Sequence, residues 1–234
     1  MFDLPIYTYD ASVRLVIILA GVLLCVSVHE FARVMMAMQL GDRLGAVLKR
    51  DTLNPIMHIH VIGTLLLPAG LVMLAAFTGS QNIPFVAIGL PAMHNPFNFR
   101  SSLWGREVST RKAQWLIAVA GPVGNLLFAL LCWLAAALLV KMGWFGFYTY
   151  SPADALMHLV YLNVTLIIFN MLPIFPLDGA FIWPRFFSHR TFLRFFVMRP
   201  WVSTALVVVL VLGGGSWVAL LARRITHEML AILL

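Results

Sequence analysis

Charged side chains are scarce in this chain: only 11% of its 234 residues are Asp, Glu, Lys or Arg. A soluble domain carries about 25%. Too few charges remain to cover a water-facing surface, so lipid must be the solvent for much of the molecule. Cysteine is also sparse. Cys25 and Cys132 both lie in apolar runs, which excludes a disulfide scaffold and reads as two buried thiols. There is no lysine-rich tract and no aromatic-basic motif, so the net charge of +7 does not point to nucleic acid. Lys and Arg of this kind hold loops on the cytoplasmic side and meet anionic lipid. Asp3 and Asp10 precede the first apolar run and no small-residue cleavage site follows it, which argues against a removable signal peptide. Internal repeats and low-complexity linkers are absent as well.

What the chain has in plenty is apolar sequence, 62% of residues, with a mean hydropathy of +0.93. Long runs cover Leu15–Leu40, Trp115–Val140, Ala155–Met171 and Trp201–Leu221. Each approaches the roughly 20 residues that a transmembrane helix needs. Thr64–Phe77 is shorter and rises only about 21 Å as a helix, too little for a comfortable span. Ile83–Met93 carries Pro84, Gly89 and Pro91, a composition that suits a re-entrant loop or short strands. Phe181–Pro200 alternates aromatic clusters with Arg185, Arg190, Arg194 and Arg199 and reads as an interfacial segment. Arg223–Leu234 reads as a surface helix. The expectation is an all-α polytopic membrane protein of five to six helices with a re-entrant or short-strand segment. Residues 1–234 form one membrane-embedded domain, with a core over 12–185 and extra helices over 186–234.

The basic residues give an orientation. If Thr64–Met93 dips into the membrane and returns, the loops at 41–63, 95–114 and 181–200 share one face, with eleven Lys and Arg among them. The opposite face holds only Arg14, Lys141, Arg223 and Arg224. The bias places the basic loops in the cytoplasm and the N-terminus outside. A full crossing by Thr64–Phe77 would even out the division.

Of the nine acids, only Glu30 and Asp178 sit in or at the edge of an apolar span. Ionisable groups at that depth are costly and mark function by default. The plain alternative is a polar pair that hydrogen-bonds between helices. Against it stand an adjacent His29, an Arg33 one turn on, and an Asp178 flanked by Pro173, Pro176 and Gly179. Proline removes backbone donors and breaks the helix, and irregular backbone at membrane depth is tolerated only within protein or beside a water-filled cavity. His29-Glu30-Phe31-Ala32-Arg33 is a near match to HExxH. There two histidines at i and i+4 share one helix face for zinc and the glutamate is the general base. Alone it is a weak signal.

The rest of the chain resembles the site-2 protease family of intramembrane zinc metalloproteases. The resemblance is carried by Asn163 to Asn170, on through Pro173 and Pro176 to Leu177-Asp178-Gly179. It extends to Gly41-Asp42, Thr52-Leu53-Asn54-Pro55 with His58, Gly63-Thr64-Leu65-Leu66-Leu67-Pro68, Asn95-Pro96 with Asn98-Phe99-Arg100, and Ala120-Gly121-Pro122 with Asn125, all in the family's order. It implies zinc held by His29 and Asp178, Glu30 as base toward the metal-bound water, and Asn170 holding substrate. It also implies hydrolysis of a partner's transmembrane helix within the bilayer.

Three positions depart from the pattern: Arg33 for the second His, His60 for a usual Asp, and Leu90 for a Lys before Pro91. Arg33 matters most, because a guanidinium stays protonated and offers no lone pair. Two protein ligands fall short of the three of a catalytic zinc site. Either His58, His60 or His94 supplies a third ligand, or the chain is a pseudoprotease without metal that binds membrane helices or regulates a partner. In the second case Arg33 is expected at the metal position, bridging Asp178 and Glu30. His227-Glu228 lacks a second His at i+4, and His158 and His189 have no partners at ligand spacing. A transporter is disfavoured because no paired repeat of broken helices is present.

Overall fold

The computed structural model of the protein describes residues 11–79, 87–89, 93–99, 102–103, 106–143, 151–175, 177–186, 190 and 216–232. Helix α1 spans Ala11–Gln39 and is followed by a single turn, α2, at Leu44–Val47. A 3-10 turn at Pro55–His58 leads into a π-helical stretch, Val61–Leu66, that continues as α3, Leu67–Thr78. After a 3-10 turn at Pro96–Asn98, strands β1 (Ser102–Leu103) and β2 (Arg106–Glu107) pair antiparallel, Ser102 opposite Glu107. Then come α4 (Thr110–Lys141), α5 (Pro152–Asn170), the short α6 (Gly179–Ile182) with a 3-10 turn at Trp183–Phe186, and α7 (Ser216–Ala231).

Helix α5 is the centre of the bundle. Six consecutive residues, Tyr161 to Leu166, are buried, so every face of that helix meets protein. A capping box at Ser151 and Asp154 and Pro152 in the first turn fix its start. Its polar side chains bond back to its own carbonyls: Asn163 Nδ2 to Leu159 O at 2.8 Å, Thr165 Oγ1 to Tyr161 O at 2.8 Å and Asn170 Nδ2 to Leu166 O at 3.0 Å. Around it, Ile18, Val22 and Cys25 of α1, Ala129, Cys132 and Ala136 of α4, and Ala222 of α7 close one apolar core. The thiols of Cys25 and Cys132 are free and buried within it. Helices α1 and α4 meet through small residues, Ala32 against Gly124, which lets their backbones approach closely.

Among the described residues, four helical stretches are long and apolar enough to cross a membrane: Leu15–Gln39, Val61–Thr78, Thr110–Lys141 and Pro152–Asn170. The protein is an all-α polytopic membrane protein. Three of these stretches follow the apolar runs of the sequence. The second is longer than its apolar run, because helical backbone begins at Val61 rather than Thr64. His60 caps it, its Nδ1 accepting from Gly63 N at 3.0 Å, and Thr64 Oγ1 donates to Ile88 O at 3.0 Å. The resulting 18 residues are enough to cross.

Paired short strands lie at 102–107; of the Ile83–Met93 stretch only 87–89 and Met93 are described. Within that stretch Ile88 N donates to Gly63 O at 3.0 Å, beside the Thr64 contact to Ile88 O. The C-terminal expectation also shifts. Helix α7 joins the end of the Trp201–Leu221 run to the tail, and Val218, Ala219, Ala222 and Thr226 bury one face of it in the bundle. Trp133 Nε1 donates to Met229 O at 2.8 Å and ties α7 to α4. Residues 201–215, and with them most of that run, lie outside the described residues, as do Arg194, Arg199 and the greater part of the proposed interfacial segment. Its start is described: Arg185 stands 5.1 Å over the Trp115 ring, and Arg111 Nη2 donates to Pro184 O at 2.5 Å.

Candidate functional site

His29, Glu30 and Arg33 occupy one stretch of α1, more than halfway along the helix. Their i, i+3 and i+4 spacing stacks them on neighbouring faces. Asp178 reaches them from a break in the chain. Helix α5 ends at Asn170, and tight turns follow, with Ile174 N donating to Leu172 O and Leu177 N to Ile174 O, each at 2.7 Å. Asp178 then starts α6, its carbonyl accepting from Phe181 N at 2.8 Å and Ile182 N at 3.0 Å. Gly179 is required here, because a side chain would run into the carbonyls of Met171 and Leu172. Pro176 lies outside the described residues.

The four groups converge. His29 Nε2 lies 2.8 Å from Asp178 Oδ2. Arg33 Nη1 lies 3.4 Å from both carboxylate oxygens of Glu30 and 3.5 Å from Asp178 Oδ1. The contacts to Asp178 are ion-pair approaches rather than directed hydrogen bonds. The relative exposures of His29, Glu30, Arg33 and Asp178 are 5%, 4%, 8% and 2%, so the cluster is desolvated. Among the described residues, no forked, two-nitrogen pairing of Arg33 with a carboxylate forms. One nitrogen is shared between two acids instead.

Two glycines make the room. A methyl at Gly121 of α4 would overlap the His29 ring, and one at Gly89 would press on Glu30 Cγ and Val26 Cγ1. A cavity of about 20 Å³ remains, lined by His29, Glu30, Arg33, Asn170 and Asp178 together with Val26, Ala87, Ile88, Gly89, Leu166 and Leu177.

Asn170 is thus at the site. Asn163 is not: it lies two turns back on α5, beside the Cys25 thiol. The loop histidines are used locally. His58 Nε2 is 2.7 Å from Thr52 O, which holds the loop beneath α1. His60 has Nδ1 committed to the cap of the π-helical stretch, and His94 stacks on Phe99 with ring centroids 5.8 Å apart. None of the three lines the cavity.

The residues present do not fit a zinc ion. His29 and Asp178 would supply two donors, and the cationic Arg33 side chain stands 3.5 Å from Asp178 in place of a third. Among the described residues no three His, Cys, Asp or Glu side chains are placed to hold a metal. Metal-bound imidazoles donate their far N–H to an acceptor that fixes the ring. His29 Nδ1 is buried with no such acceptor among the described residues.

A residue whose role the sequence left unread is Asp42, fully buried past the end of α1. Its carboxylate accepts from Leu44 N at 3.1 Å, Asn95 N at 2.6 Å and Asn98 Nδ2 at 2.9 Å. It joins the α1 exit to the 93–99 segment. The shared presence of Gly41-Asp42 and Asn95-Pro96 was the available signal, though nothing in it said that they touch.

No protein-family profile and no solved structure matches the chain. Curated relatives do. YwhC of Bacillus subtilis, a candidate zinc metalloprotease, is 30% identical over 155 residues, covering 65% of this chain and 61% of that protein. Rip2 of Mycobacterium tuberculosis, described in the same terms, is 30% identical over 169 residues, 70% of this chain and 54% of that protein. Rip2 of Mycolicibacterium smegmatis is 28% identical over the same shares. The chain therefore spans a little over half the length of the relatives it matches. With the ordered motifs and the meeting of His29, Glu30 and Asp178, these relatives place the chain in the site-2 protease family.

Proposed function

We propose that this chain is a metal-free member of the family that holds a partner's transmembrane helix at the former catalytic centre without cutting it. One observation carries the reading: Arg33 Nη1 stands within 3.5 Å of both Asp178 and Glu30, where a metal ligand would have to be. A guanidinium there balances the acid charge and cannot donate a lone pair. The helix-holding part is supported by Asn170 at the cavity and by the apolar wall of Val26, Leu166 and Leu177 around it. Residues 1–234 act as one membrane-embedded domain, its basic loops in the cytoplasm and its binding face toward the bilayer.

A second reading is intramembrane peptide hydrolysis with zinc held in a non-standard way. The relatives' descriptions as zinc metalloproteases favour it, as does the approach of His29 to Asp178. Elemental analysis of protein purified from membranes, run beside cleavage of a reporter transmembrane segment, separates the two. The expected result is no stoichiometric zinc and an intact reporter. One zinc per chain with cleavage that Glu30→Gln abolishes would establish the protease instead.

A further inference from the structure

The two most basic loops of the chain meet at the start of α4. Residues 95–114 and 181–200 together hold eight Lys and Arg and a single acid, Glu107. Arg111 Nη2 donates to Pro184 O, the carbonyl of the residue just before Arg185. Arg185 itself stands 5.1 Å over the ring of Trp115, one turn along α4 from Arg111. Two guanidinium groups on exposed residues are thereby held beside one face of the α4 entry.

Holding these charges together is unfavourable without an anion. Lys112 adds a third cation to the first turn of α4, which contains no acid. Cations there also oppose the positive end of the helix dipole. Among the described residues Arg185 makes no ion pair, and its partner is the neutral Trp115 ring. The 41–63 loop differs, since Asp42 and Asp51 stand among its three cations.

The setting says which anion. Helix α4 has 32 residues. At about 1.5 Å each it is long enough to reach through both headgroup layers, so its first turn lies at headgroup level. Trp183 and Phe186, in the same turn as Arg185, are 39% and 68% exposed, and interfacial tryptophan favours that depth. A soluble anion would leave these rings uncovered, whereas a ligand with an anionic head and an apolar tail meets both features. We infer that Arg111 and Arg185, with Trp115 as the platform, bind the phosphate headgroup of one anionic phospholipid, whose acyl chains cover Trp183 and Phe186. The site is separate from the His29–Asp178 cluster and does not rest on how that cluster is read. Because 183–186 continues α6, a bound lipid fastens the far end of α6 against α4.

The test titrates the full chain in neutral detergent micelles with dioleoylphosphatidylglycerol and counts retained lipid by native mass spectrometry. Dioleoylphosphatidylcholine is the zwitterionic control. The wild-type chain should retain one phosphatidylglycerol where phosphatidylcholine does not stay bound, and millimolar inorganic phosphate should not displace it. Arg111→Gln and Arg185→Gln should each weaken binding about fivefold, the weight of one Lys or Arg at an anionic surface. Arg43→Gln and Arg224→Gln remove the same charge at exposed positions elsewhere and should change nothing. Trp115→Leu alters no charge but removes the ring beneath Arg185, and it should weaken binding too. Retention of neither lipid or of both equally, equal losses in all four Arg variants, or unchanged binding by Trp115→Leu overturns the site. Displacement by inorganic phosphate overturns the lipid and assigns the site to a free phosphate ion. Circular dichroism checks that each variant is folded. Should Trp115→Leu unfold, the four Arg variants decide alone, because their side chains are exposed.

Discussion

The imidazole of His29 rests on the bare backbone of Gly121, with no room for a methyl group between α1 and α4 at that level. Both helices are long and packed along their length, so neither can retreat locally. Gly121→Ala should destabilise the bundle by about 1–3 kcal/mol, the usual cost of overpacking, despite the better helix propensity of alanine. Thermal unfolding in detergent reads this out. A variant as stable as wild type would mean that the His29 ring moves freely aside.

Removing the cation should be worse than removing an acid. Arg33→Met leaves Glu30 and Asp178 buried together, and breaking such a cluster costs about 3–5 kcal/mol. Adding Glu30→Gln should recover part of the loss, since one of the two buried acids facing position 33 is then neutral. Chemical denaturation of the two single variants and the double variant forms a cycle. Strict additivity would show that Arg33 and Glu30 do not interact despite their 3.4 Å approach.

Restoring the ligand should restore the metal. Arg33→His places a second imidazole one turn from His29 on the face that meets Asp178, completing three donors. Mass-spectrometric metal analysis should find about one zinc per chain in this variant. Adding Asp178→Asn should remove it. Failure of Arg33→His to take up zinc would show that a third donor at position 33 does not by itself make the cluster a zinc site.

Asp42 should govern the loops rather than the core. Its carboxylate holds Leu44, Asn95 and Asn98 together, and hydrogen bonds to a charged group contribute about 1.5–3 kcal/mol. Asp42→Ala should expose 41–60 and 93–99 to limited proteolysis while thermal unfolding of the helices changes less. Unchanged cleavage would assign the clip no structural weight.

The orientation of Val61–Thr78 can be read by labelling. Both native thiols are buried, so the background is low. Ser80→Cys should react with a membrane-impermeant maleimide from the side of the basic loops, as a returning segment requires. Reaction from the N-terminal side alone would make Val61–Thr78 a full crossing.

What could be read in the sequence divides along physical lines. Helices α1, α4 and α5 were legible because an apolar run of span length has few alternatives. The true start of the second membrane-length stretch was not. It depends on His60 Nδ1 capping Gly63 and on Thr64 bonding Ile88, contacts that no local pattern encodes. The paired short strands fell at 102–107, in polar sequence where alternation was too brief to register. At the site, the nearness of His29 and Asp178 was implied by resemblance, and the pairing of Arg33 with two acids followed from charge balance alone. That one nitrogen serves both acids is a matter of side-chain reach. That His58 and His60 stand off the cavity likewise turns on their bonds to Thr52 O and Gly63 N.

A tethered guanidinium also changes what the fold depends on. A metal stabilises its site by mass action, to a degree set by how much free ion is present. Arg33 is part of the chain, so its contacts with Glu30 and Asp178 have no concentration term and cannot be chelated away. On the metal-free reading proposed above, the bundle matures in a zinc-starved membrane and keeps its shape there, where a bundle held together by a bound ion would lose part of its stability.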